Sequence, residues 1–234
     1  MNDAFTSEER DVVVRIPAND VLLAGNLNIP PEARGLVLFA HGSGSSRHSP
    51  RNRYVASELR EGALGTLLID LLTAEEEEAD LLTGQLRFDI ELLSTRLVAA
   101  TDWLVGHPDT RDLKIGYFGA STGAAAALVA AAARPDAVGA VVSRGGRPDL
   151  ARSSLAQVQA PTLLIVGGDD VPVIAMNREA MAALRVEKKL EIVPGATHLF
   201  EEPGTLEHVA RSARRWFEDH LARGVAPSGQ RSRA

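Results

Sequence analysis

The chain has 234 residues and a formal net charge of −6, with 45% hydrophobic and 24% charged residues. This length and balance suit one globular domain with a sizeable core. The acidic balance argues against general binding to nucleic acid or to an anionic membrane surface. The absence of cysteine excludes a disulfide framework and a thiolate metal cluster. No apolar run approaches the roughly 18 residues that a membrane-spanning helix needs. The polar, acidic start is not a signal peptide, so we expect a cytoplasmic protein.

The first part of the chain alternates short apolar runs with turn signals. Residues 1–10 show no regular pattern and are expected to form a loose end. Residues 11–16 and 21–29 are predicted to form a hairpin, because a Pro-Ala-Asn-Asp sequence separates two strand-like runs. Residues 36–40, LVLFA, are continuously apolar, which is typical of a strand covered on both faces.

A loop rich in glycine and serine, HGSGSS at residues 41–46, follows that strand. It is either a flexible connection or a rigid turn whose backbone amides face a ligand. Its place at the carboxyl end of a central strand favours the second interpretation, because open α/β sheets bind ligands there. The ring of His41 is then expected to brace the loop from inside rather than to act as a catalytic base.

The next stretch combines a helix, a buried strand and a run of acidic residues. Residues 54–61 are predicted to be helical and residues 64–70 to form a strand. Residues 73–80, TAEEEEAD, are interpreted as a solvated loop or helix turn, with a border of the functional site as the alternative. No histidine or regular acidic spacing accompanies these carboxylates, so they do not indicate a metal site. Residues 85–105 have the periodicity of one long amphipathic helix.

The strongest motif lies between residues 113 and 133. An apolar strand, residues 114–118, leads into Gly119-Ala120-Ser121-Thr122-Gly123, which is G-x-S-x-G, and an alanine-rich helix follows. A strand that turns sharply into a helix exposes the serine hydroxyl, and the first helical amides and the helix dipole stabilise an oxyanion beside it. The same residues also suit an ordinary tight turn, so a nucleophilic role for Ser121 depends on partners elsewhere in the chain.

Strands and helices continue to alternate after this motif. Residues 138–142 are predicted to form a strand, and Arg144 follows it. Arg144 is either a surface arginine with a carboxylate partner or a pocket residue that binds a substrate carboxylate or phosphate. The interval between Val142 and Pro161 holds one short helix, near residues 148–158, and leaves no room for a cap domain. The remaining elements are a strand, a helix, a strand and a helix, at residues 161–166, 174–184, 190–193 and 206–221.

This order of elements predicts an α/β fold. Alternating strands and helices form βαβ units, which give a mostly parallel central sheet with helices on both faces. The N-terminal hairpin adds an antiparallel pair. We expect one domain at residues 11–222, followed by a disordered tail at residues 223–234, which are polar and rich in Gly, Pro and Ser.

A nucleophilic serine needs a base to take its proton and an acid to orient that base. In a sheet of this kind the three follow the chain order serine, acid, histidine. His198 is the preferred base, because its loop, PGATHLF, ends a strand after Ser121. The other histidines lie in upstream loops, at a helix end or in the closing helix, at positions 41, 48, 107, 208 and 220.

Two adjacent carboxylates, Asp169 and Asp170, follow the strand at residues 161–166. Only one can orient the histidine, and Asp170 fits the spacing G-x-x-D-x-x-V, which leaves Asp169 as a turn residue. The oxyanion hole is assigned to the backbone amides of Thr122 and Ser43. The substrate-binding candidates are Gly42 and Arg144.

Four motifs, HGSGSS, GASTG, GGDD-x-x-V and PGATHLF, resemble in order and spacing those of the α/β-hydrolase superfamily. More narrowly, residues 12–221 resemble its dienelactone hydrolase-like branch. The resemblance implies hydrolysis of an ester or a lactone without a metal or an organic cofactor. True dienelactone hydrolases use a cysteine nucleophile, and this chain has no cysteine. The chain therefore resembles a serine carboxylesterase on that scaffold, and dienelactone is not the expected substrate.

The function predicted from the sequence is hydrolysis of carboxylic esters or lactones of small acyl groups through an acyl-enzyme. Small substrates are expected because the site lacks a cap. Acyl transfer to another acceptor uses the same residues and remains open, as does a non-catalytic binding module on the same fold. Dehalogenase or epoxide hydrolase chemistry is disfavoured, because those relatives carry an aspartate at the position of Ser121. A monomer and a homodimer are equally compatible with the sequence.

Overall fold

The computed structural model describes residues 11–221, so the expectations for residues 1–10 and 223–234 lie outside the described range. Its centre is an eight-stranded sheet with the order β1-β2-β4-β3-β5-β6-β7-β8. The strands are β1 (Val12–Ala18), β2 (Val21–Asn28), β3 (Gly35–Ala40), β4 (Leu64–Ile69), β5 (Ile115–Ala120), β6 (Val138–Arg144), β7 (Thr162–Gly167) and β8 (Lys188–Val193). Strand β2 pairs antiparallel with β1 and β4, and all other neighbours are parallel.

Helices cover both faces of this sheet, as the alternation of strands and helices predicted. They are α1 (Pro50–Glu61), α2 (Ala74–Thr83), α3 (Ile90–Gly106), α4 (Thr122–Ala133), α5 (Val171–Ala183) and α6 (Thr205–Leu221). Alternate residues of β3 enter opposite cores, because side chains alternate across a strand. Leu36 and Leu38 join residues of α3, α4 and α5, whereas Val37 and Phe39 join residues of α1 and α6.

Two helical predictions are corrected by the structure. Residues 85–105 do not form one helix: a short 3-10 turn, Leu86–Phe88, precedes α3. Asp89 separates the two, because its side chain accepts a hydrogen bond from the amide of Leu92 and caps α3. The acidic run forms a regular helix, α2, because Thr73 and Glu76 make a capping box at its start.

The connection from β6 to β7 is short, as predicted. It consists of a 3-10 segment, Pro148–Gln157, which kinks at Arg152 where φ is positive. No cap domain is inserted there, so the carboxyl edge of the sheet stays open above β5 and β6. Among the described residues, no helix is long and apolar enough to cross a membrane.

Candidate active site

Ser121 lies at the sharp turn between β5 and α4. Its φ of 50° and ψ of −120° are strained for a residue with a side chain, and such strain is often found at functional sites. The turn is held by its backbone: the amide of Ser121 donates to the carbonyl of Arg144 at 3.3 Å, and the carbonyl of Ser121 accepts from Ala124 and Arg147. The strained geometry is therefore built into the fold.

The two glycines of G-x-S-x-G are required by close packing. A Cβ on Gly119 would lie 2.4 Å from Cα of Ala124, and one on Gly123 would lie 2.3 Å from the carbonyl oxygen of Ala40. Both distances are shorter than any real contact, so no other residue fits. This close approach brings the start of α4 against the end of β3, and so places the loop after β3 beside Ser121.

His198 and Asp170 come together on the loops that follow β8 and β7. Nδ1 of His198 lies 2.6 Å from Oδ2 of Asp170, a distance typical of a charge-assisted hydrogen bond. The side chain of Asp170 is largely buried, whereas 38% of the His198 side chain is exposed. Asp169 is exposed, and its amide donates to the carbonyl of Ala196. The structure therefore joins His198 to Asp170 and leaves Asp169 in the turn.

The His198 ring reaches the Ser121 turn through the loop after β6. Ala120 pairs with Arg144 in the sheet, so Gly145 follows directly beside Ser121. A Cβ built on Gly145 would lie 3.5 Å from both Cε1 and Nδ1 of His198. Among the described residues, no hydrogen bond joins the Ser121 hydroxyl to His198. Such bonds are often long in unliganded sites and tighten when substrate binds.

Glu202 and Phe200 anchor the loop that carries His198. The carboxylate of Glu202 accepts from the amide and the hydroxyl of Thr197, at 3.0 and 2.6 Å, and these bonds hold the pKa of Glu202 below its usual value. Phe200 is buried with a positive φ. Sequence reasoning missed both roles, although the acceptor Glu202 stands close to His198 in the chain.

The loop after β3 is held against the start of α4. The amide of Ser43 donates to the hydroxyl oxygen of Thr122 at 3.1 Å. The His41 ring is buried beneath the loop, where Nε2 accepts from the amide of Leu71 and Nδ1 therefore donates to the carbonyl of Gly42. Burial lowers the pKa of His41, so this ring is a neutral brace for the loop.

A cleft of ≈ 330 Å³ opens beside Thr122, the residue that follows Ser121, whereas Ser121, Asp170 and His198 do not line it. It lies between the loop at residues 41–46, α2 and α3, and its walls include Leu71, Leu72, Glu77, Asp80, Leu81, Arg87, Leu93 and Thr122. Gly42 also lines it, and a Cβ there would lie 3.1 Å from Cβ of Ser121. The acidic helix therefore borders this cleft. Within residues 11–221, no group of three or more His, Asp or Glu side chains is placed to hold a metal ion.

The structure contradicts the interpretation of Arg144 as a surface residue with a carboxylate partner. It is only 5% exposed, and its guanidinium lies 5.9 Å from the centre of the Phe200 ring. Within the described part of the chain, Nε of Arg144 is buried without a hydrogen-bond partner, as is Nε of Arg51. Burial and the nearby charge of Arg51 lower the pKa of Arg144 to about 10, so it stays charged near neutral pH. Arg144 does not line the cleft and lies toward α1.

Asn177 is a further supporting residue that sequence reasoning missed. It is buried in α5, and its amide nitrogen donates to the carbonyls of Gly146 and Val173. The same helix begins beside Asp170, which is its N-cap residue. Asn177 thus ties the helix that carries the acid to the loop that contacts Ser121 and His198. No local motif marks this contact.

A mostly parallel sheet with a strained serine turn, a histidine–aspartate pair and no cap defines an α/β-hydrolase fold. Comparison with known proteins is more specific: residues 71–222 match the Dienelactone hydrolase family. The chain is 64% identical to the dienelactone hydrolase from Anabaena variabilis, with a TM-score of 0.90, covering 91% of this chain and 98% of that one. The chain therefore belongs to the dienelactone hydrolase family.

Other relatives extend this picture. Est1E from Butyrivibrio proteoclasticus has a TM-score of 0.74 at 17% identity, covering 88% of this chain and 98% of that one. A lidless serine hydrolase from Xanthomonas campestris, XC6422, has a TM-score of 0.69 at 18% identity, covering 90% of this chain and 94% of that one. At these identities they show the fold alone.

A Mycobacterium tuberculosis protein named "Putative phosphoribosyl transferase" is 59% identical over 220 residues, which is 94% of this chain and 48% of that protein. The chain thus spans about half the length of the curated relatives that it matches across most of its own length.

Proposed function

We propose that the protein is a serine hydrolase that cleaves carboxylic esters or lactones of small acyl groups. The observation that carries the proposal is the 2.6 Å contact between His198 and Asp170, on loops beside the strained turn of Ser121. Residues 11–222 act as one catalytic unit, and no cofactor takes part. The cysteine-free composition favours a cytoplasmic location.

The proposed reaction has two steps, acylation of Ser121 and hydrolysis of the acyl-enzyme. As Oγ of Ser121 forms its bond to the acyl carbon, its proton moves to Nε2 of His198 and the carbonyl electron pair moves onto oxygen. When the tetrahedral intermediate collapses, the proton passes to the leaving alcohol. Water then repeats the sequence on the acyl-enzyme and releases the acid. Asp170 holds Nδ1–H of His198 throughout, which fixes the tautomer. The amide of Thr122 stabilises the oxyanion, with a second donor from the loop at Ser43, whose amide bonds the Thr122 hydroxyl in this structure.

The first experiment tests the nucleophile. The wild-type protein should react with a fluorophosphonate probe and hydrolyse 4-nitrophenyl acetate, and Ser121→Ala should do neither. Ser153→Ala is a matched control, because Ser153 is exposed on the 3-10 segment and does not line the cleft. A wild-type protein that is neither labelled nor active would favour a binding module on this fold.

The open edge of the sheet supports small or accessible acyl groups as substrates. The connection after β6 carries no cap, and the cleft beside Gly42 and Thr122 has a volume of ≈ 330 Å³. Activity on 4-nitrophenyl esters should therefore decline from acetyl and butyryl toward palmitoyl chains. A steep rise with chain length would contradict this part of the proposal.

Arg144 favours substrates that carry a carboxylate or phosphate. Nε of Arg144 is buried and has no hydrogen-bond partner among the described residues, an arrangement that is unfavourable unless a ligand supplies an acceptor. Arg144 lies outside the cleft, so an anionic substrate group would meet it on the side of His198, against which the next residue, Gly145, packs. Mono-4-nitrophenyl succinate and 4-nitrophenyl butyrate test this, because they are similar in size and differ in charge. Arg144→Met should raise KM for the succinate roughly tenfold, the effect of one lost charged hydrogen bond, and leave the butyrate nearly unchanged.

Arg51→Gln provides a second test if Arg144→Met does not fold. Arg51 lies close to Arg144 and its side chain is one-third exposed at the start of α1, so loss of its charge should also raise KM for the succinate more than for the butyrate. Arg53→Gln, an exposed arginine two residues further on, is the matched control. If Arg144→Met lost activity equally on the succinate and the butyrate ester, Arg144 would have a structural role.

Acyl transfer is the second candidate function. The half-exposed His198 and the open edge admit an acceptor other than water, and competition with an added alcohol or amine would reveal it as a transfer product.

The phosphoribosyl transferase name of the relatives is a separate matter. We attribute that activity to the half of those proteins that this chain does not cover. Absence of pyrophosphate release from phosphoribosyl pyrophosphate by this chain would agree with that attribution.

A further inference from the structure

The Thr122 side chain occupies a position that the proposed reaction has not yet used. Thr122 follows Ser121 directly and is the first residue of α4. Its side chain is almost completely buried, and it lines the cleft together with Gly42 and Ser43. The hydroxyl is thus fixed beside the nucleophile, between the two backbone segments that surround a developing oxyanion.

The hydrogen bonds of this hydroxyl leave its proton unused. The oxygen accepts the amide proton of Ser43 at 3.1 Å, which employs one of its two lone pairs. Among the described residues, no acceptor takes the hydroxyl proton in return. A threonine within a helix commonly donates to a carbonyl one turn earlier, but Thr122 is at the helix start. Its proton is therefore free to turn toward the cleft.

We propose that the hydroxyl of Thr122 donates a hydrogen bond to the oxyanion in place of the Ser43 amide, whose proton its oxygen accepts. This inference rests on the proposed function, because it requires an acyl intermediate on Ser121. Because the Ser43 amide already donates to the hydroxyl oxygen, the hydroxyl proton takes its place as the donor beside the amide of Thr122. The Ser43 amide holds the hydroxyl oxygen in place and polarises its O–H bond. No proton is transferred: the hydroxyl donates a hydrogen bond that strengthens as the carbonyl oxygen gains charge.

The same geometry has an opposite interpretation that the experiment separates. If the hydroxyl oxygen occupied the place of the oxyanion and blocked the Ser43 amide, its removal would free that amide and raise the rate. Thr122→Val keeps the shape of the side chain and removes the hydroxyl, whereas Thr122→Ser keeps the hydroxyl. We expect Thr122→Val to lower kcat for 4-nitrophenyl acetate by roughly tenfold to hundredfold, with little change in KM, and Thr122→Ser to retain most of the activity.

A thionoester substrate distinguishes a lost donor from a displaced loop. Sulfur accepts hydrogen bonds more weakly than oxygen, so the donor should favour the ester over its C=S analogue. Thr122→Val should therefore reduce the ratio of the two rates, whereas a displaced loop would lower both rates together. Thr95→Val is the control, because Thr95 is exposed in α3 and, among the described residues, its hydroxyl bonds only the carbonyl of Glu91.

Each outcome is decisive. An active wild-type protein with an unchanged or faster Thr122→Val variant, or with an unchanged rate ratio, would overturn the role of the hydroxyl and leave the serine mechanism intact. A wild-type protein that no fluorophosphonate labels would remove the proposed function itself. A lower kcat with a lower rate ratio, rescued by Thr122→Ser, would support the hydroxyl as an oxyanion donor.

Discussion

Strain at a single residue is where the proposed chemistry begins. Ser121 holds φ at 50° and ψ at −120°, and Arg152, on the 3-10 segment after β6, has nearly the same angles, 49° and −124°. A residue with a Cβ in this region is strained by about 1–3 kcal/mol. At Ser121 the sheet and α4 impose this strained conformation. The turn that exposes the Ser121 hydroxyl therefore lowers the stability of the folded protein.

Glycine at either position should relieve this strain. Relative to Ser121→Ala, which keeps the Cβ, Ser121→Gly should raise the free energy of unfolding by about 1 kcal/mol, although glycine also gains entropy in the unfolded chain. Arg152→Gly should behave in the same direction against Arg152→Ala, without loss of ester hydrolysis. Urea unfolding of the four variants measures both differences. A Ser121→Gly protein less stable than Ser121→Ala would mean that the turn is not strained in solution.

The adjacent aspartates provide a second prediction at this scale. Asp170→Asn keeps the size of the side chain but favours the wrong tautomer of His198, so kcat should fall roughly a thousandfold or more. Asp169→Asn should remain near wild type, because Asp169 is exposed and only its amide bonds the loop. Steady-state kinetics on 4-nitrophenyl acetate compare the two, and equal activities would refute the assigned orienting role of Asp170.

Residue positions were predictable to the extent that backbone order determines them. Ser121, Asp170 and His198 each follow a strand, and parallel strands bring their carboxyl ends to one edge, so their neighbourhood follows from the sequence. The burial of Arg144 and the bond between Ser43 and Thr122 were not predictable. Both depend on the direction of a side chain in three dimensions, for which the one-dimensional pattern carries no signal.

At the scale of elements, α2 is attached to the molecule in an unusual way. Asp80 is its only buried residue, while Leu81 and Leu82 are 78% and 91% exposed. The helix is held by polar contacts: Asp80 bonds Arg87 and the amide of Leu86, and Glu76 bonds Arg96 of α3 at 2.6 Å. A wall of the cleft is therefore fastened by ion pairs rather than by apolar packing.

Weakening one of these pairs should loosen α2 without unfolding the sheet. Burial opposes ionisation of Asp80, but hydrogen bonds from Arg87 and Leu86 outweigh it and lower its pKa. Asp80→Asn keeps the shape and loses this charge, so the amides of α2 should exchange with deuterium roughly tenfold faster. Glu78→Gln, an exposed change on the same helix, is the control. Unchanged exchange in Asp80→Asn would show that other contacts hold α2.

The elements that the sequence predicted best are the buried strands, because each is a short, continuous apolar run between turn signals. Helix α2 was not recognised as regular, because its charges give no apolar face, although Thr73 and Glu76 provide a capping-box signal. The sequence does not distinguish the 3-10 turn from α3, because the apolar periodicity continues across Asp89. A single capping residue is a weaker signal in the sequence than an apolar repeat that extends over several turns.

Across the whole molecule, the order of the strands explains how distant parts of the chain meet. β5, β7 and β8 are followed by Ser121, Asp170 and His198, and their parallel pairing brings these loops to one edge. The outer strand, β8, must stay docked for His198 to remain in place. Glu191 of β8 is bonded by Ser212 and His208 of α6 and by Lys189, so the closing helix secures this edge.

This junction should make the stability of the fold sensitive to acid. Burial disfavours the charged form of Glu191, but the hydrogen bonds from Ser212, Lys189 and His208 outweigh it and lower the pKa to about 2, from 4.5. Because the pKa is lower in the folded state, the contribution of Glu191 to stability is complete above about pH 4.5 and is lost as the pH falls toward 2.

Glu191→Gln should therefore lower Tm at pH 7, and the difference in Tm between this variant and wild type should narrow below pH 4.5. Thermal unfolding monitored by circular dichroism between pH 7 and pH 3 tests this, with Glu179→Gln, an exposed change on α5, as control. A difference that stays constant with pH would show that packing, rather than the charge of Glu191, fastens α6 to β8.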